Sequence, residues 1–129
     1  MEIPGQLKIL LAEDNKINQR LAGIILRQLG ATCDLVDDGR EAAKRYSEEM
    51  HDLVLMDIQM PVMNGLESSK RIREIEKESN SNHRAVIIAL SANEPFDIVA
   101  MCKDAGIDDY MEKPLQGSKL NHIINQYFQ

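Results

Sequence analysis

Short apolar runs alternate along the chain with stretches whose apolar residues recur at helical spacing. The runs at 53–56 and 85–90 are uniformly apolar, which is typical of strands that are buried on both faces. The stretches between the runs place apolar residues three and four positions apart, as amphipathic helices do. This pattern predicts strands at 7–12, 32–36, 53–56, 85–90 and 108–111, and helices at about 15–29, 39–50 and 66–77, from about 95 onwards, and through 120–127.

Residues at the predicted helix ends support these boundaries. Asn15 is a favourable N-cap for the first helix, and Gly30 suits the position just after its last turn. Pro95 suits the first turn of a helix, so we expect the fourth helix to begin near it. Proline, asparagine and glycine within 61–65 predict a loop after the third strand.

The alternation of five strands with five helices predicts a parallel sheet that is covered on both faces. In such sheets, ligands bind beyond the carboxyl ends of the strands. The topology therefore gathers the polar residues that follow four of the strands at one edge of the sheet. These residues are Glu13 and Asp14 after the first strand, Asp57 after the third, Ser91 after the fourth and Lys113 after the fifth.

Three carboxylates at one edge repel each other, and a bound cation is the simplest reason to collect them. Oxygen ligands suit Mg²⁺, whereas zinc is a poor candidate because no histidine or cysteine falls at these positions. A central carboxylate could attack a phosphoryl group and form an acyl phosphate, while Lys113 and the metal neutralise the phosphoryl oxygens. The alternative, in which each acid only caps a helix, does not explain why the whole set occurs at four strand ends.

Composition narrows the classes of function. The chain has 129 residues, enough for one domain, and 43% of them are hydrophobic. A net charge of −6 argues against a nucleic-acid surface, and no apolar run is long enough to cross a bilayer. The first five residues do not resemble a secretory signal, and the two cysteines form no CxxC pair. We therefore expect a cytoplasmic protein with reduced cysteines, no nucleic-acid partner and no direct membrane contact.

Four motifs, in their order and spacing, resemble the receiver domain of two-component response regulators. They are Leu-Ala-Glu-Asp-Asn at 11–15, Leu-Met-Asp-Ile-Gln-Met-Pro-Val-Met-Asn-Gly at 55–65, Ala-Leu-Ser-Ala at 89–92 and Asp-Tyr-Met-Glu-Lys-Pro at 109–114. The resemblance extends from Leu7 to Phe128. It implies a flavodoxin-like, doubly wound α/β fold with a five-stranded parallel sheet in the order 2-1-3-4-5.

The resemblance also implies a role for each acidic position. Asp57 would be the phosphoacceptor. Asp14 would bind Mg²⁺ directly, Glu13 would bind it through water, and Gln59 would offer its backbone carbonyl to the metal. The isolated domain would not be an enzyme, although it would assist its own aspartyl phosphorylation and dephosphorylation.

By the same resemblance, Ser91 would donate a hydrogen bond to a phosphoryl oxygen and Lys113 would pair with another. Tyr110 occupies the aromatic switch position. Receivers more often have threonine where Ser91 stands, so the hydroxyl is retained while the methyl group is lost. The Lys113–Pro114 peptide would be cis, because the turn must direct Lys113 back to Asp57.

The first helix offers a candidate docking surface. Its apolar residues cover an arc of roughly 200°, wider than one buried stripe needs. Ile25 lies at the centre of the arc and should face the core, whereas Ile17 and Ile24 lie at one margin. In receivers the start of this helix meets the histidine-bearing partner, so we assign Ile17, Ile24 and Pro114 to a surface for a histidine kinase or histidine phosphotransfer domain. The alternative is a helix that is packed along its whole arc.

The Glu-Asp-Asn-Lys-Ile-Asn-Gln stretch resembles receivers that are fused to kinases. We therefore expect a receiver domain at 7–129 from a hybrid histidine kinase or phosphorelay protein, with 1–6 as a linker and with tethering to a membrane through the parent kinase. The alternatives are a stand-alone regulator and a pseudo-receiver that only binds partners. An aspartyl-phosphate hydrolase is disfavoured because Gln59 stands where those enzymes carry a second acid. A flavin-binding protein is disfavoured because Glu13 and Asp14 would repel phosphate.

Overall fold

Five parallel strands form one sheet, as the sequence pattern predicts. The computed structural model describes residues 7–92 and 98–128, and the strand order within them is β2-β1-β3-β4-β5, which confirms the flavodoxin-like, doubly wound fold. The strands are β1 (Ile9–Ala12), β2 (Cys33–Val36), β3 (Leu53–Asp57), β4 (Val86–Ser91) and β5 (Asp109–Glu112). The helices are α1 (Lys16–Gln28), α2 (Gly39–Glu49), α3 (Gly65–Glu78), α4 (Ile98–Asp104) and α5 (Gly117–Tyr127).

Successive residues of the central strands pack on opposite faces of the sheet. Ile9 and Leu11 of β1 belong to a core that they share with α1 and α5. Leu10 and Ala12 belong to a second core, which α2, α3 and α4 complete. Because side chains alternate between the faces, a strand that is buried on both must be apolar throughout. This requirement explains the uniformly apolar runs of the sequence.

Capping residues fix the helix ends that the sequence predicts. The side chain of Asn15 accepts a hydrogen bond from the backbone N–H of Asn18 at 2.9 Å, which makes it the N-cap of α1. Gly30 has a φ of 84°, a conformation that favours glycine after a helix. The predicted start of α4 near Pro95 and the predicted linker at 1–6 lie outside the described residues. Of the helices in the described ranges, none is both long and apolar enough to span a bilayer.

The buried face of α1 differs from the prediction. Ala22 and Leu26 are the apolar residues that α1 buries, whereas Ile25 is only half-buried at the edge of the core. The helix is therefore rotated relative to the expected centre of its arc. Ile17 and Ile24 are 77% and 47% exposed, as their marginal positions predict. The alternative of a helix packed along its whole arc is wrong.

A partly buried ion network ties α3 to the amino ends of β4 and β5. The guanidinium of Arg73 donates to the carbonyls of Ala85 at 2.8 Å and Gly106 at 2.9 Å. It also forms ion pairs with Glu76 at 2.7 Å and Asp108 at 2.8 Å. Each partly buried carboxylate thus has a charged partner, which offsets the cost of removing it from water. The network fastens the edge of the sheet opposite the carboxyl ends of the strands.

A largely exposed loop at 79–84 connects α3 to β4 at this opposite edge. Local side-chain hydrogen bonds shape it. The Oγ atom of Ser79 accepts from the N–H of Ser81 at 3.1 Å, and the Oγ atom of Ser81 accepts from the N–H of His83 at 3.0 Å. Residues 80–82 are exposed to solvent, so the loop contributes little to either core.

Candidate functional site

The carboxyl ends of the strands bring the predicted charged residues together. Lys113, just after β5, lies between two acids that come from other strands. Its Nζ atom is 2.9 Å from Oε1 of Glu13 and 3.0 Å from Oδ2 of Asp57. Glu13 and Asp57 are 2% and 3% exposed, so a single ammonium group faces two buried carboxylates. This ion-paired triad confirms that the topology collects these side chains at one edge.

Asp14 completes a cluster of three acids. One carboxylate oxygen from each of Glu13, Asp14 and Asp57 lies within 4.8 Å of the other two. Asp14 is exposed, whereas its two neighbours are buried. The cluster is therefore open to solvent on the Asp14 side, where an ion could enter.

Burial and mutual repulsion shift the proton affinities of the triad. Burial raises the pKa of Asp57 to about 7, and the Glu13 carboxylate adds to this rise while Lys113 opposes it. Burial also works to raise the pKa of Glu13, but hydrogen bonds from Lys113, from Asp57 and from the N–H of Asn15 lower it below its ordinary value. Burial works to lower the pKa of Lys113, but its contacts with Glu13 and Asp57 raise it. One ammonium group therefore does not fully compensate the two carboxylates.

The chemistry of the cleft fits a hard divalent cation. Its carboxylates supply only oxygen ligands, and its uncompensated negative charge would be neutralised by a cation such as Mg²⁺. The Oγ atom of Ser91 is fully buried and has no hydrogen-bond partner among the described residues, so it is available to a ligand that carries an acceptor oxygen. The cleft, of about 380 Å³, is lined by Glu13, Asp14, Asn15, Asn18, Asp57, Gln59, Ala92 and Lys113.

The loop after β3 is packed tightly against Asp57. The N–H of Gln59 donates to Oδ1 of Asp57 at 3.3 Å, and the N–H of Gly65 donates to the carbonyl of Ile58 at 2.8 Å. A Cβ atom on Gly65 would lie 2.2 Å from the backbone oxygen of Asp57. Only glycine therefore allows the start of α3 to approach the central acid so closely.

The same loop contains an unusual backbone conformation. Val62 has a φ of 68°, a region that β-branched residues rarely adopt. Hydrogen bonds hold the loop on its far side, where the N–H of Met63 donates to the carbonyl of Pro61 at 2.7 Å and the N–H of Gly39 donates to the carbonyl of Met63 at 3.0 Å. The first of these bonds closes a tight local turn around Val62, and the second, to the start of α2, holds that turn against the local preference of a β-branched residue.

The turn after β5 directs Lys113 into the cleft. The Lys113–Pro114 peptide is cis, which confirms the predicted isomer. The N–H of Lys113 donates to the carbonyl of Ser91 at 2.6 Å, so the backbone at this point is fastened to β4.

The other predicted residues lie around the cleft rather than in it. Tyr110 is half-buried on β5, opposite Ala89 of β4, and packs against the core of α2, α3 and α4. Ile17 and Ile24 lie on the outer face of α1, with Leu21, 44% exposed, between them. These three side chains are defined here as the α1 stripe.

A narrow groove joins the α1 stripe to the cleft. Leu21 lines it on the α1 side, and Pro114 and Leu115 line it on the side of the turn after β5. Glu13 and Lys113 lie in the same groove. The predicted docking residue Pro114 is exposed at this place, so the apolar surface and the charged site are continuous.

Besides Asn15, which was predicted only as a helix cap, two residues that line the cleft were missed by sequence reasoning. Asn18 lies one helical turn after the cap residue Asn15, and that spacing could have indicated it. Ala92 directly follows Ser91, but a small residue there carries no signal that a sequence can show. The part of the chain from 93 to 97 lies outside the described residues.

Comparisons with known proteins agree with this geometry. A family model described as the response regulator receiver domain matches residues 9–125. Hybrid signal transduction histidine kinase G of Dictyostelium discoideum is 40% identical over 124 residues, which cover 95% of this chain and 4% of that protein. The chain spans between 4% and 16% of the length of such curated relatives.

Solved structures show the same fold in receiver domains. One is the receiver domain of a sensor histidine kinase from Pseudomonas aeruginosa, with a magnesium ion coordinated in its active-site cleft. It is 35% identical, with a TM-score of 0.82, and the match covers 96% of this chain and 98% of that chain. Another is the receiver domain of Ssk1 from Saccharomyces cerevisiae, crystallised with the histidine phosphotransfer protein Ypd1. That match is 32% identical, with a TM-score of 0.86, and covers 98% of this chain and 91% of that chain.

The close approach at Gly65 predicts a costly substitution. Gly65→Ala should lower the free energy of unfolding by about 1–3 kcal/mol, because the new methyl group must displace the backbone of Asp57. Gly23→Ala is the matched control. A Cβ there meets nothing within 4 Å, so this change inside α1 should raise stability by about 0.5–1 kcal/mol. Urea denaturation measures both, and equal stabilities would contradict the packing described.

The raised pKa of Asp57 predicts competition between protons and metal. Below its pKa of about 7, Asp57 holds a proton that a divalent cation must displace. Mg²⁺ affinity should therefore fall as the pH is lowered through this value, by up to about tenfold per pH unit. Calorimetric titration in buffers of different ionisation heat should show proton release near pH 6 and little near pH 8. Release that persists undiminished in Asp57→Asn would assign the proton to another group.

Proposed function

The chain belongs to the response regulator receiver family, and from this premise we propose that Asp57 accepts a phosphoryl group from a phosphohistidine of a partner protein. The receiver family is a phosphoryl-accepting signalling family, and the chain resembles the receivers of hybrid kinases. The observation that carries the assignment is the position of Asp57. It is the buried central acid of the cluster, and it contacts the Lys113 ammonium at 3.0 Å.

Four residues would hold the metal that the family uses. Asp14 and Asp57 would be the direct carboxylate ligands, Glu13 would bind through water, and Gln59 would contribute its backbone carbonyl. The magnesium ion in the cleft of the Pseudomonas receiver supports this assignment. A bound Mg²⁺ would supply positive charge that neutralises the oxygens of the transferring phosphoryl group.

The residues of this chain then perform the transfer. An Oδ atom of Asp57 attacks phosphorus and forms the new P–O bond, while the P–N bond breaks and its electron pair remains on the imidazole of the partner. Lys113 moves its ion pair from the Asp57 carboxylate to a phosphoryl oxygen, where negative charge is concentrated. Burial of Asp57 and Glu13 excludes water from one side of the reacting group and strengthens these interactions.

Phosphorylation would then be transmitted through Ser91 and Tyr110. The buried Oγ atom of Ser91 lacks a partner among the described residues, and a phosphoryl oxygen supplies one. The strand β4 is paired with β5 so that Ala89 lies beside Tyr110. Movement of Ser91 toward the phosphoryl group therefore alters the packing under the half-buried Tyr110 ring, which is the proposed switch.

The partner is a histidine kinase or a histidine phosphotransfer domain that docks on the α1 stripe and Pro114. The stripe offers three exposed apolar side chains at the spacing of one helix face, next to the entrance of the cleft. The complex of the yeast receiver with a histidine phosphotransfer protein supports a partner of this class.

We further propose that the domain comes from a hybrid histidine kinase, with residues 1–6 as its linker and 7–129 as the receiver. Several relatives that match over most of this chain are named as hybrid signal transduction histidine kinases, and the chain covers only a small part of each. The domain by itself is not an enzyme. Its place of action is the cytoplasm, where its two cysteines, which are not joined by a disulfide, remain reduced. The parent kinase tethers it there.

Direct phosphorylation tests the assignment of Asp57. Incubation with acetyl phosphate and Mg²⁺ should add one phosphoryl group per chain, detected by intact mass measurement. Asp57→Asn removes the nucleophilic oxygen while it preserves the size of the side chain, and it should abolish the adduct. A stable adduct that persists in Asp57→Asn would refute the proposal, and a wild-type chain that binds Mg²⁺ but never gains the group would indicate a pseudo-receiver.

A charged residue in the α1 stripe should distinguish docking of the partner protein from the phosphoryl-transfer reaction. Ile17→Glu should slow phosphotransfer from a phosphorylated histidine phosphotransfer domain by at least about tenfold, because a carboxylate would be buried without a partner in the interface. Phosphorylation by acetyl phosphate should be unchanged, since a small donor needs no docking surface. Val99→Glu is the control, because Val99 is 59% exposed on α4, on the other face of the sheet. Equal transfer rates for the two variants would exclude the α1 stripe as the docking surface.

A further inference from the structure

Gln19 is a buried polar residue on a helix face that is otherwise apolar. It is 7% exposed, and its neighbours on the buried face of α1 are Ala22 and Leu26. A buried amide must find hydrogen-bond partners, or its burial costs free energy. An apolar side chain would fill this position without that cost. The hydrogen bonds of the amide therefore indicate what the Gln19 side chain contributes to the structure.

The amide fastens the first residue of the turn that carries the exposed acid. The side-chain Nε2 atom of Gln19 donates to the backbone carbonyl of Glu13. The backbone N–H of Gln19 donates to the carbonyl of Asn15 at 2.9 Å, which is the ordinary first bond of a helix and does not depend on the side chain. The side chain of Gln19 thus holds the start of the turn from Glu13 through Asp14 to Asn15 from behind.

Asp37 fixes which way the amide points. Its Oδ1 atom lies 2.6 Å from Nε2 of Gln19 and 2.9 Å from Nζ of Lys16. A carboxylate accepts and cannot donate, so the NH₂ group of Gln19, rather than its oxygen, must face Asp37. The same NH₂ group carries the second hydrogen that reaches Glu13. The loop after β2 therefore sets the orientation of the amide for the turn after β1.

The turn needs this support because Asp14 has none of its own. Within residues 7–92 and 98–128, no side chain forms a hydrogen bond or ion pair with the Asp14 carboxylate, which is exposed. Its direction is therefore set by the backbone of the turn. The other backbone anchor is the N–H of Glu13, which donates to the carbonyl of Val36 at 3.1 Å.

We infer that Gln19 is a positioning residue for the metal site, because it holds the Glu13–Asn15 turn in the orientation that directs Asp14 toward Asp57. This inference rests on the proposed function of the same cleft. Gln19 touches neither metal nor phosphoryl group, so it acts on metal affinity through the backbone. Hydrogen bonds that orient metal ligands from behind typically change affinity by about 10- to 100-fold when they are removed.

Gln19→Met tests the inference, because methionine has a similar length and lacks the donor. Calorimetric titration with Mg²⁺ alone should show at least about tenfold weaker binding than the wild-type chain. In phosphorylation by acetyl phosphate, the half-saturating Mg²⁺ concentration should rise by the same factor, while the rate at saturating Mg²⁺ stays at the wild-type value. A loss of folding alone would not produce this separation of affinity from maximal rate.

Lys16→Met is the matched control. Lys16 contacts the same Asp37 oxygen from the same helix, but its side chain does not reach the Glu13–Asn15 turn. Lys16→Met removes a positive charge near the cleft, and this loss of charge can only tighten Mg²⁺ binding. Its effect would therefore be opposite in sign to the weaker binding that is expected for Gln19→Met. Mg²⁺ affinity equal to that of the wild type in Gln19→Met would overturn the inference.

Two further outcomes are decisive. If Gln19→Met does not fold, Asp37→Leu removes the acceptor that orients the amide, and Asp37→Asn is its control because it removes the same charge but keeps an acceptor oxygen. Asp37→Leu should bind Mg²⁺ about threefold or more weakly than Asp37→Asn, and equal binding by the two variants would overturn the inference. If the wild-type chain binds Mg²⁺ but takes no phosphoryl group, the proposed function fails, while the titration with Mg²⁺ still decides the role of Gln19.

Discussion

Repulsion between buried carboxylates is the constraint on which the site depends. Glu13 and Asp57 are both removed from water, and one ammonium group, that of Lys113, lies between them. Two buried negative charges and one positive charge leave the cleft short of a cation, and a proton on Asp57 makes up the difference near neutral pH. The fold must hold these groups together against their own repulsion. The cleft is therefore prepared for a doubly charged ion and for a phosphoryl group whose oxygens can replace the carboxylate beside Lys113.

The parallel sheet provides the rigid support that this arrangement of charges requires. The three acids lie at the ends of β1 and β3, which are buried in two cores, so many small van der Waals contacts fix the backbone from which they project. The connecting loops then need only short-range contacts to direct the side chains. Gly65 lets α3 approach Asp57, the backbone of Lys113 is fastened to Ser91, and Gln19 holds the turn that carries Asp14. Rigid strands and the contacts of the loops thus together offset the electrostatic repulsion within the site.

The sequence predicts most of the architecture because the relevant signals are local. Uniformly apolar runs identify the buried strands, Asn15 and Gly30 bound the first helix, and the strand-end rule places Asp57 next to Glu13. The roles of Gln19 and the half-buried position of Ile25 could not be found in this way. Both depend on how α1 is rotated against the sheet, and that rotation is set by packing with residues distant in sequence. Periodicity indicates that a helix has a buried face, but it locates the centre of that face only to within about one residue.

The exposed loop at 79–84 is a suitable position for attaching a label to this domain. It enters β4 at the amino edge of the sheet, so the six residues of that strand separate it from the cleft. At a rise of about 3.3 Å per residue, the separation is roughly 17–20 Å. A fluorophore or a fused reporter joined at this loop would therefore lie at the edge of the sheet opposite the cleft.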